Sequence, residues 1–335
     1  MRISRIITAV DSHTAGEPTR VVTGGIPYIP GTNMQKKKEW VQKNRDHLRK
    51  MLMWEPRGHR DMFGAIITEP TSNDADVGII FMDNDGYLDM CGHGSIGAAT
   101  VLVETGMIEC KNETEGEKEI ILDTPAGKVH SKVKIENGKV KQVTIRNVPS
   151  FLYSSIIIKL RSTGDVPVDI AYGGNFFALV NAQSVNARIE PRRVRELIEL
   201  GLDIRKKVNH EIKIIHPATE KLEKVELVEI FEETSPPRNV VIFGSGQVDR
   251  CPCGTGTSAK MATLYANNKL EVGEVYRYRS IMGTEFQGKI VKEAKIAGYK
   301  AIIPEFTGSA YITGIQQFFV DEDDPFKYGF KLLQY

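Results

Sequence analysis

The chain carries one short motif twice. Residues 91–100 read CGHGSIGAAT and residues 253–262 read CGTGTSAKMA, so in both places a Cys-Gly-x-Gly-(Ser/Thr) turn leads into a segment rich in small residues. The copies lie about half the chain apart, a period too long for a solenoid repeat. The repetition therefore predicts two homologous domains that face one another, each contributing one equivalent turn.

Length and charge limit the remaining possibilities. The chain has 335 residues, enough for two domains of ordinary size, with 41% hydrophobic and 26% charged residues, as in soluble globular proteins. A net charge of +1 gives no general affinity for nucleic acid or an anionic membrane. No segment approaches the length of a membrane span, and Asp11 and His13 come too early for a signal peptide. We expect a cytoplasmic protein that binds neither nucleic acid nor membrane.

Most of the sequence is typical of short strands separated by Gly, Pro and Asn. The strand candidates are residues 75–82, 119–123, 143–148 and 176–181. The helix candidates are residues 34–52, 92–105, 191–213 and 255–267. Asn137-Gly138 between two alternating runs predicts a hairpin, and residues 111–119 predict a polar loop. Lys36, Lys37 and Lys38 indicate the solvated face of an amphipathic helix.

The two turns have a definite chemistry. A glycine-rich turn that enters a helix leaves backbone N–H groups free, and the helix dipole adds positive charge there, so the place suits a carboxylate. A cysteine at this position is expected to have a lowered pKa. Two such turns converging on one ligand can hold its carboxylate and place one sulfur on either side of its α-carbon.

That arrangement fits stereoinversion at an acidic carbon. One thiolate removes the α-proton while the opposite thiol supplies a proton to the other face, and the roles exchange in the reverse direction. N–H donors aimed at the carboxylate stabilise the charge that develops on it. The candidate acid/base residues are Cys91 and Cys253.

Other readings of the cysteines are weaker. Cys251-Pro252-Cys253 lacks a second cysteine pair, so we expect no metal site, and C-x-C is not the redox motif C-x-x-C. Cys251 is expected to pack passively, and Cys110, which lies outside both turns, to be a small buried residue. No nucleotide-binding glycine motif is present.

At this point the chain resembles a known family. The stretches that carry the resemblance are DSHTAGEPTR (11–20), EPRGH (55–59), DMFGA (61–65), MCGHGSIGA (90–98), NVVIFGSGQVDR (239–250), PCGTGTSAKMA (252–262) and GSAYITG (308–314). They closely resemble the proline racemases, in order, over almost the whole length. The resemblance implies a diaminopimelate epimerase-like α/β fold with two pseudo-symmetric domains, each with strands wrapped around a central helix.

The resemblance also implies domain bounds and residue roles. We expect residues 1–149, completed by about residues 316–335, to form the domain with Cys91, and residues 150–315 the domain with Cys253. Gly92, His93, Gly254 and Thr255 match the positions whose backbone amides hold the carboxylate. The side chains of Asp249 and His93 match groups near the ring nitrogen of the substrate. Phe63, Phe81 and Phe243 match apolar positions around its ring. His13, His59 and Arg60 are expected to be structural.

The expected activity is proline racemisation without a cofactor, by a homodimer. Phe63 and Phe243 favour proline over 4-hydroxyproline, whose hydroxyl needs a polar partner, but a 4-hydroxyproline 2-epimerase stays an alternative. Cys253 argues against a trans-3-hydroxyproline dehydratase, which has Thr or Ser there, and the motifs argue against diaminopimelate epimerase itself. From another class, a catalytically silent proline-binding or redox-sensing module is the remaining alternative.

Overall fold

The computed structural model describes residues 3–109 and 115–332. Cys110 and the first part of the predicted polar loop lie outside the described residues. The helices are α1 (Met34–Asn44), α2 (Asp46–Met53), α3 (Gly92–Glu104), α4 (Val194–Glu211) and α5 (Gly254–Ala266). The strands are β1 (Ile3–Thr14), β2 (Glu17–Gly24), β3 (Phe63–Thr68), β4 (Val77–Asp83), β5 (Tyr87–Leu88), β6 (Glu115–Thr124), β7 (Gly127–Glu136), β8 (Lys139–Arg146), β9 (Ser150–Leu160), β10 (Gly164–Tyr172), β11 (Phe176–Asn181), β12 (Ile214–Ile215), β13 (Leu222–Glu223), β14 (Leu227–Glu232), β15 (Arg238–Phe243), β16 (Gln247–Val248), β17 (Val275–Arg279), β18 (Glu285–Ile296), β19 (Tyr299–Gly308) and β20 (Ala310–Asp321).

These elements form two compact units. Unit 1 holds the described residues up to Ile145 together with those from Ser309 onward, so that β20 returns to the N-terminal part of the chain. Unit 2 is the continuous segment Arg146–Gly308.

In unit 2 the strands close around α5. Antiparallel pairs join β9 to β10 and β10 to β11, a parallel pair joins β11 to β14, and an antiparallel pair joins β14 to β15. A short parallel contact links β15 to β17, from which antiparallel pairs continue through β18 and β19 back to β9. Because α5 contacts β9, β10, β11, β18 and β19, it is the central helix of this ring.

Unit 1 repeats this topology around α3. From β1 through β2, β3, β4 and β6 to β7 the pairings run antiparallel, parallel, antiparallel, parallel, antiparallel. From β10 through β11, β14, β15 and β17 to β18 they run in the same order. A two-residue strand, β5 or β16, precedes each Cys-Gly turn. The sequence motif is thus the most visible part of a repeated topology.

The central helices are buried on every side. All residues from Gly92 to Leu102 of α3, and from Gly254 to Thr263 of α5, are buried. The serine hydroxyls bond to carbonyls at the start of their own helix: Ser95 Oγ donates to Cys91 O at 2.7 Å and Ser258 Oγ to Gly254 O at 2.9 Å. Small, internally satisfied residues therefore let a ring of strands approach the helix closely.

The expected helices and strands form, with corrected bounds. The predicted helix over 34–52 is two helices, because Arg45 leaves helical geometry with φ −138° while its N–H bonds to Val41 O. The predicted helix over 191–213 begins with a short 3-10 turn, Pro191–Arg193, before α4. Residues 115–119 of the predicted loop belong to β6. At the predicted hairpin, Asn137 and Gly138 have φ of 52° and 70°, as a two-residue turn between β7 and β8 requires.

The lysine run is only partly solvated, which corrects the prediction for Lys37. This side chain is 3% exposed, and its Nζ donates to Glu69 O at 2.7 Å. Burial lowers the pKa of Lys37. Lys36 pairs with Glu39 at the surface, as a solvated lysine does. A long side chain can bury its stem while its ammonium reaches a carbonyl, which residue type alone does not predict.

In the described parts of the chain, no helix is long and apolar enough to cross a membrane.

The close fit around α5 gives a test of the fold. A Cβ at Gly173, at the end of β10, would lie 2.1 Å from Thr255 O and 2.8 Å from Ala259 N, both backbone atoms. We expect Gly173→Ala to lower the free energy of unfolding by about 3 kcal/mol, because neither helix atom can move alone. Gly86→Ala is the control, since its Cβ would meet nothing within 4 Å, and should change it by less than about 0.5 kcal/mol. Urea unfolding of the two variants makes the comparison, and equal losses would contradict the packing described.

Candidate active site

Cys91 is the N-cap of α3. It has extended backbone, φ −143° and ψ 126°, and its sulfur accepts the N–H of Gly94 at 3.3 Å. A Cβ at Gly94 would lie 3.2 Å from that sulfur and 3.0 Å from the ring of Phe81, so glycine is needed for this close approach. The N–H groups of Gly92 and His93, in the first turn, have no acceptor within their own helix. The turn therefore presents a thiol beside two N–H donors.

His93 lies against this thiol as a neutral imidazole. Its Nδ1 is 3.3 Å from Cys91 Sγ, and burial lowers the pKa of His93 to about 3, although a hydrogen bond to the backbone of Pro18 opposes the shift. The ring packs edge-on against Phe63, with centroids 4.5 Å apart. Thr14 Oγ1 donates to His93 O at 2.9 Å, which fixes the first turn of α3. At neutral pH this side chain can accept a hydrogen bond without repelling a cation.

Unit 1 therefore brings together four of the expected side chains. Phe63 opens β3 and Phe81 lies on β4, and both are buried. Their rings are 6.4 Å apart, centroid to centroid, and they border the side of the turn that carries Cys91 and His93.

Cys253 is the N-cap of α5 and repeats the geometry of Cys91. Its sulfur accepts the N–H of Gly256 at 3.4 Å, and Thr255 Oγ1 lies 3.5 Å away. The N–H groups of Gly254 and Thr255 occupy the first turn, where they have no intrahelical acceptor. Unlike Cys91, Cys253 has a φ of 59°, in the left-handed region that a side chain other than glycine enters only at a cost. The second turn is thus held in strain.

Asp249 connects the cysteines of this turn. Its Oδ1 accepts the N–H of Cys251 at 2.9 Å, and the N–H of Cys253 points to Cys251 Sγ at 3.3 Å. Burial raises the pKa of Asp249 to about 6, while hydrogen bonds from Cys251 and Cys253 oppose the rise. Passive packing was expected for Cys251, but this residue takes part in the hydrogen bonds of the turn. It links the carboxylate to the turn, and none of the described cysteines is in a disulfide.

For Cys253 the expectation of a lowered pKa is wrong. Burial raises the pKa of this thiol well above its ordinary value, and the charge of Asp249 raises it further. The hydrogen bonds from Thr255 and Gly256 lower it, but by less. A helix N-terminus stabilises a thiolate, yet the position here is too deeply buried and too close to carboxylates for that effect to dominate.

Two polar groups beside the second turn escape sequence reasoning. Gln247 on β16 lies opposite Phe243 on β15. Phe243 and Cys253 belong to one hydrophobic cluster, whereas the next residue, Val248, belongs to another. Gln247 is therefore on the side of the strand that faces Cys253. Its amide is buried, and neither its nitrogen nor its oxygen has a hydrogen-bond partner among the described residues. The other is Glu229, fully buried on β14. Neither belongs to a recognisable chemical pattern, although a glutamate in an apolar strand was a signal.

His13 and His59, which lie in the family-like motifs, each accept a backbone N–H in a turn. His13 Nδ1 accepts the N–H of Gly16 at 3.2 Å, and its ring lies 5.5 Å from that of Tyr311. His59 Nδ1 accepts the N–H of Asp61 at 3.2 Å. Both side chains stabilise turns of unit 1.

The whole chain, with its two cysteine turns, is similar to known proteins. The family model described as "Proline racemase" matches residues 9–331. The chain belongs to the proline racemase family. This confirms the resemblance found in the sequence motifs and, with it, the expectation of an amino-acid racemase of the isomerase class. A proline racemase of Clostridioides difficile is 50% identical over 337 residues, which cover 99% of this chain and 100% of that protein.

Solved structures agree at the level of the fold. A hydroxyproline epimerase from Agrobacterium vitis, with bound trans-4-hydroxy-L-proline, has a TM-score of 0.92 at 34% identity and covers 99% of this chain and 97% of its own. A PhzF-family phenazine biosynthesis protein from Bacillus anthracis has a TM-score of 0.57 at 13% identity, covering 93% and 99%, and shows the fold alone. The diaminopimelate epimerase-like fold class is confirmed.

The raised pKa of Asp249 predicts a dependence of stability on pH. A carboxyl with a pKa of about 6 in the folded chain, above its ordinary value near 4, contributes stability that is fully present below about pH 4 and is lost as the pH rises through 6. Asp249→Asn removes this titration. We expect the stability of the variant relative to the unmodified protein to rise between about pH 4 and pH 7, by an amount on the order of 3 kcal/mol.

Urea unfolding at several pH values measures the difference. A difference between the two proteins that stays constant from acid to neutral pH would show that Asp249 titrates normally.

Proposed function

We propose that the protein is a proline racemase that interconverts L- and D-proline without a cofactor, with Cys91 and Cys253 as the two acid/base groups. The observation that carries this proposal is the repeated turn: in each unit a cysteine sulfur caps a buried helix and accepts the N–H of the third residue after it. Full-length similarity to a proline racemase at 50% identity supports the choice of substrate.

The proposed chemistry starts with the carboxylate of proline. The N–H groups of Gly92 and His93, and those of Gly254 and Thr255, are in this proposal its donors, which makes the two units two homologous domains acting on one substrate. Each pair lies at the positive end of a helix dipole. As the α-proton leaves, charge moves onto the carboxylate oxygens, and fixed donors stabilise it without reorganisation.

Asp249 and His93 are proposed to receive the ring nitrogen. A carboxylate accepts hydrogen bonds from a secondary ammonium, and a neutral imidazole accepts one without charge repulsion. Binding of this cation beside Asp249 also removes the main charge that raises the pKa of Cys253. The substrate therefore makes the thiol easier to ionise at the moment when it is needed.

The proton transfers balance between the two sulfurs. In one direction the thiolate of one cysteine takes the α-proton and becomes a thiol, while the other thiol gives its proton to the opposite face and becomes a thiolate. The product leaves with the two protonation states exchanged, so the next turnover in that direction requires their return through solvent. The raised pKa of Cys253 favours its protonated form, from which it can donate.

Single substitutions test the two-thiol scheme. We expect Cys91→Ser and Cys253→Ser each to lower the kcat/KM for racemisation by about a thousandfold, since a serine hydroxyl is a far weaker acid and each direction needs both groups. Polarimetry with L-proline as substrate, in the presence of reductant, gives the rates. Cys110→Ser is the matched control and should keep the original rate. A Cys91 or Cys253 variant that racemises at the same rate as the control would overturn the scheme.

A 4-hydroxyproline 2-epimerase is the second candidate, and Gln247 is the observation in its favour. The unpartnered amide beside Phe243 offers both a donor and an acceptor that a ring hydroxyl can use. Against it, Phe63 and Phe243 are apolar positions where a buried hydroxyl would remain unpaired.

Substrate comparison separates the two candidates. We expect kcat/KM for L-proline to exceed that for trans-4-hydroxy-L-proline by about tenfold to a hundredfold, the cost of one unpaired buried hydroxyl. Optical rotation followed with each substrate in turn measures the ratio. The reverse preference would leave the two-thiol mechanism in place and assign the epimerase activity instead.

A further inference from the structure

A buried carboxylate lies behind the second cysteine turn. Glu229, in the middle of β14, is 0% exposed, and Tyr278 Oη donates to its Oε1 at 2.6 Å. Asn239 Nδ2 donates to its Oε2 at 3.3 Å. Neither the proposed substrate contacts nor the proposed proton transfers use Glu229. A carboxylate held this deeply needs another explanation, because burying it is costly.

Glu229 touches the turn at its tightest point. A Cβ placed on Gly256 would lie 2.4 Å from Glu229 Oε2, so carboxylate and glycine are in direct contact. Gly256 is the residue whose N–H donates to Cys253 Sγ. The carboxylate therefore limits the position of the donor that holds the sulfur.

Asn239 links Glu229 to the residue that precedes Cys253. Its Nδ2 also donates to Pro252 O at 2.8 Å, and Thr257 Oγ1 donates to this carbonyl at 3.3 Å. The peptide that precedes Cys253 is thus fixed where its φ of 59° must be maintained. Without such support, a strained backbone of this kind relaxes.

Unit 1 fills the equivalent space with a different group. There the cross-strand pair behind the turn is Ala65 opposite Phe81, and the Phe81 ring contacts Gly94. In unit 2 the corresponding pair is Glu229 opposite Val241, and the carboxylate contacts Gly256. In unit 1 the larger residue of the pair is on the second strand, and in unit 2 it is on the first. The group that contacts the glycine is aromatic in unit 1 and charged in unit 2. The two thiols are therefore supported alike in shape but not in charge.

Glu229 is close to its titration midpoint at neutral pH. Burial raises its pKa to about 7, and the hydrogen bond from Tyr278 and the charge of Lys260 oppose the rise. In turn, the charge of Glu229 contributes to the raised pKa of Cys253, after burial and Asp249. The titratable groups that face it are Tyr276 and Tyr278 on β17, Lys260 and Cys253 on α5, and Asp249 after β16.

We propose that Glu229 is a positioning residue for Cys253: it braces the turn that carries this cysteine and, through its charge, adds to the preference of the thiol for its protonated form. The consequence for racemisation rests on the proposed function, but the effect on the thiol does not.

The test measures the ionisation of Cys253 directly. In a chain with Cys91, Cys110 and Cys251 replaced by Ser, the ultraviolet absorbance of the thiolate is followed against pH, as the difference from the same chain carrying Cys253→Ser. Glu229→Gln keeps an acceptor for Tyr278 but removes the charge, and should lower the midpoint by about one pH unit, a tenfold change in thiolate population below it. Glu229→Met removes the charge with a side chain of similar length, and should lower the midpoint by a similar amount.

Glu232→Gln is the control on the same strand, because the Glu232 side chain accepts the N–H of Ile189 and does not touch the turn. Its midpoint should equal that of the parent chain. Circular dichroism confirms that each variant is folded, and Glu229→Met keeps the test available if Glu229→Gln does not fold. Superimposed titrations of the parent, the folded Glu229 variant and the control would overturn the proposal. If the midpoint shifts but the unmodified protein does not racemise proline, the proposed function is refuted and the role of Glu229 stands.

Discussion

In both units a cysteine sulfur accepts the N–H of a glycine three residues later, and the chemistry of the site depends on this contact. It requires a helix that begins at the cysteine, and a glycine at the third position, because a Cβ there would crowd the sulfur. At the same helix starts, the N–H groups of the two residues between the cysteine and that glycine have no intrahelical acceptor and are available to a ligand. The rings of strands around α3 and α5 fix these helix ends in place, since buried helices packed on every side cannot shift or fray.

Different neighbours give the two turns different electrostatics. Cys91 lies beside the neutral imidazole of His93, whereas Cys253 lies near two buried carboxyls, Asp249 and Glu229. In the proposed mechanism one sulfur gives a proton while the other takes one, and the carboxyls near Cys253 favour the protonated form of that thiol. The repeated topology thus provides two similar positions, and the substitutions behind each turn make them chemically distinct.

The sequence predicted the features that local chemistry determines. The repeated motif, its placement at helix starts and the small-residue central helices follow from turn and helix rules, and α3, α5 and β11 lie close to their expected bounds. The burial of Lys37 and the raised pKa of Cys253 were not predicted because they depend on tertiary packing, whereas the missed break at Arg45 is a local departure from helical geometry. Glu229 contacts residues far along the chain, so no spacing rule could find it, and Gln247 is notable only because the fold buries its amide. The roles of the expected site residues stay predictions until the variants are made.

Isotope exchange during racemisation tests the two-thiol mechanism most directly. With L-proline in heavy water, sampled at low conversion, the account predicts that the D-proline formed carries deuterium at the α-carbon while the remaining L-proline does not. The reason is that the proton removed by one sulfur is not the one delivered by the other. Mass spectrometry after chiral separation measures both. Equal deuterium in the remaining substrate and the product would indicate a single base that serves both faces, and would contradict the account.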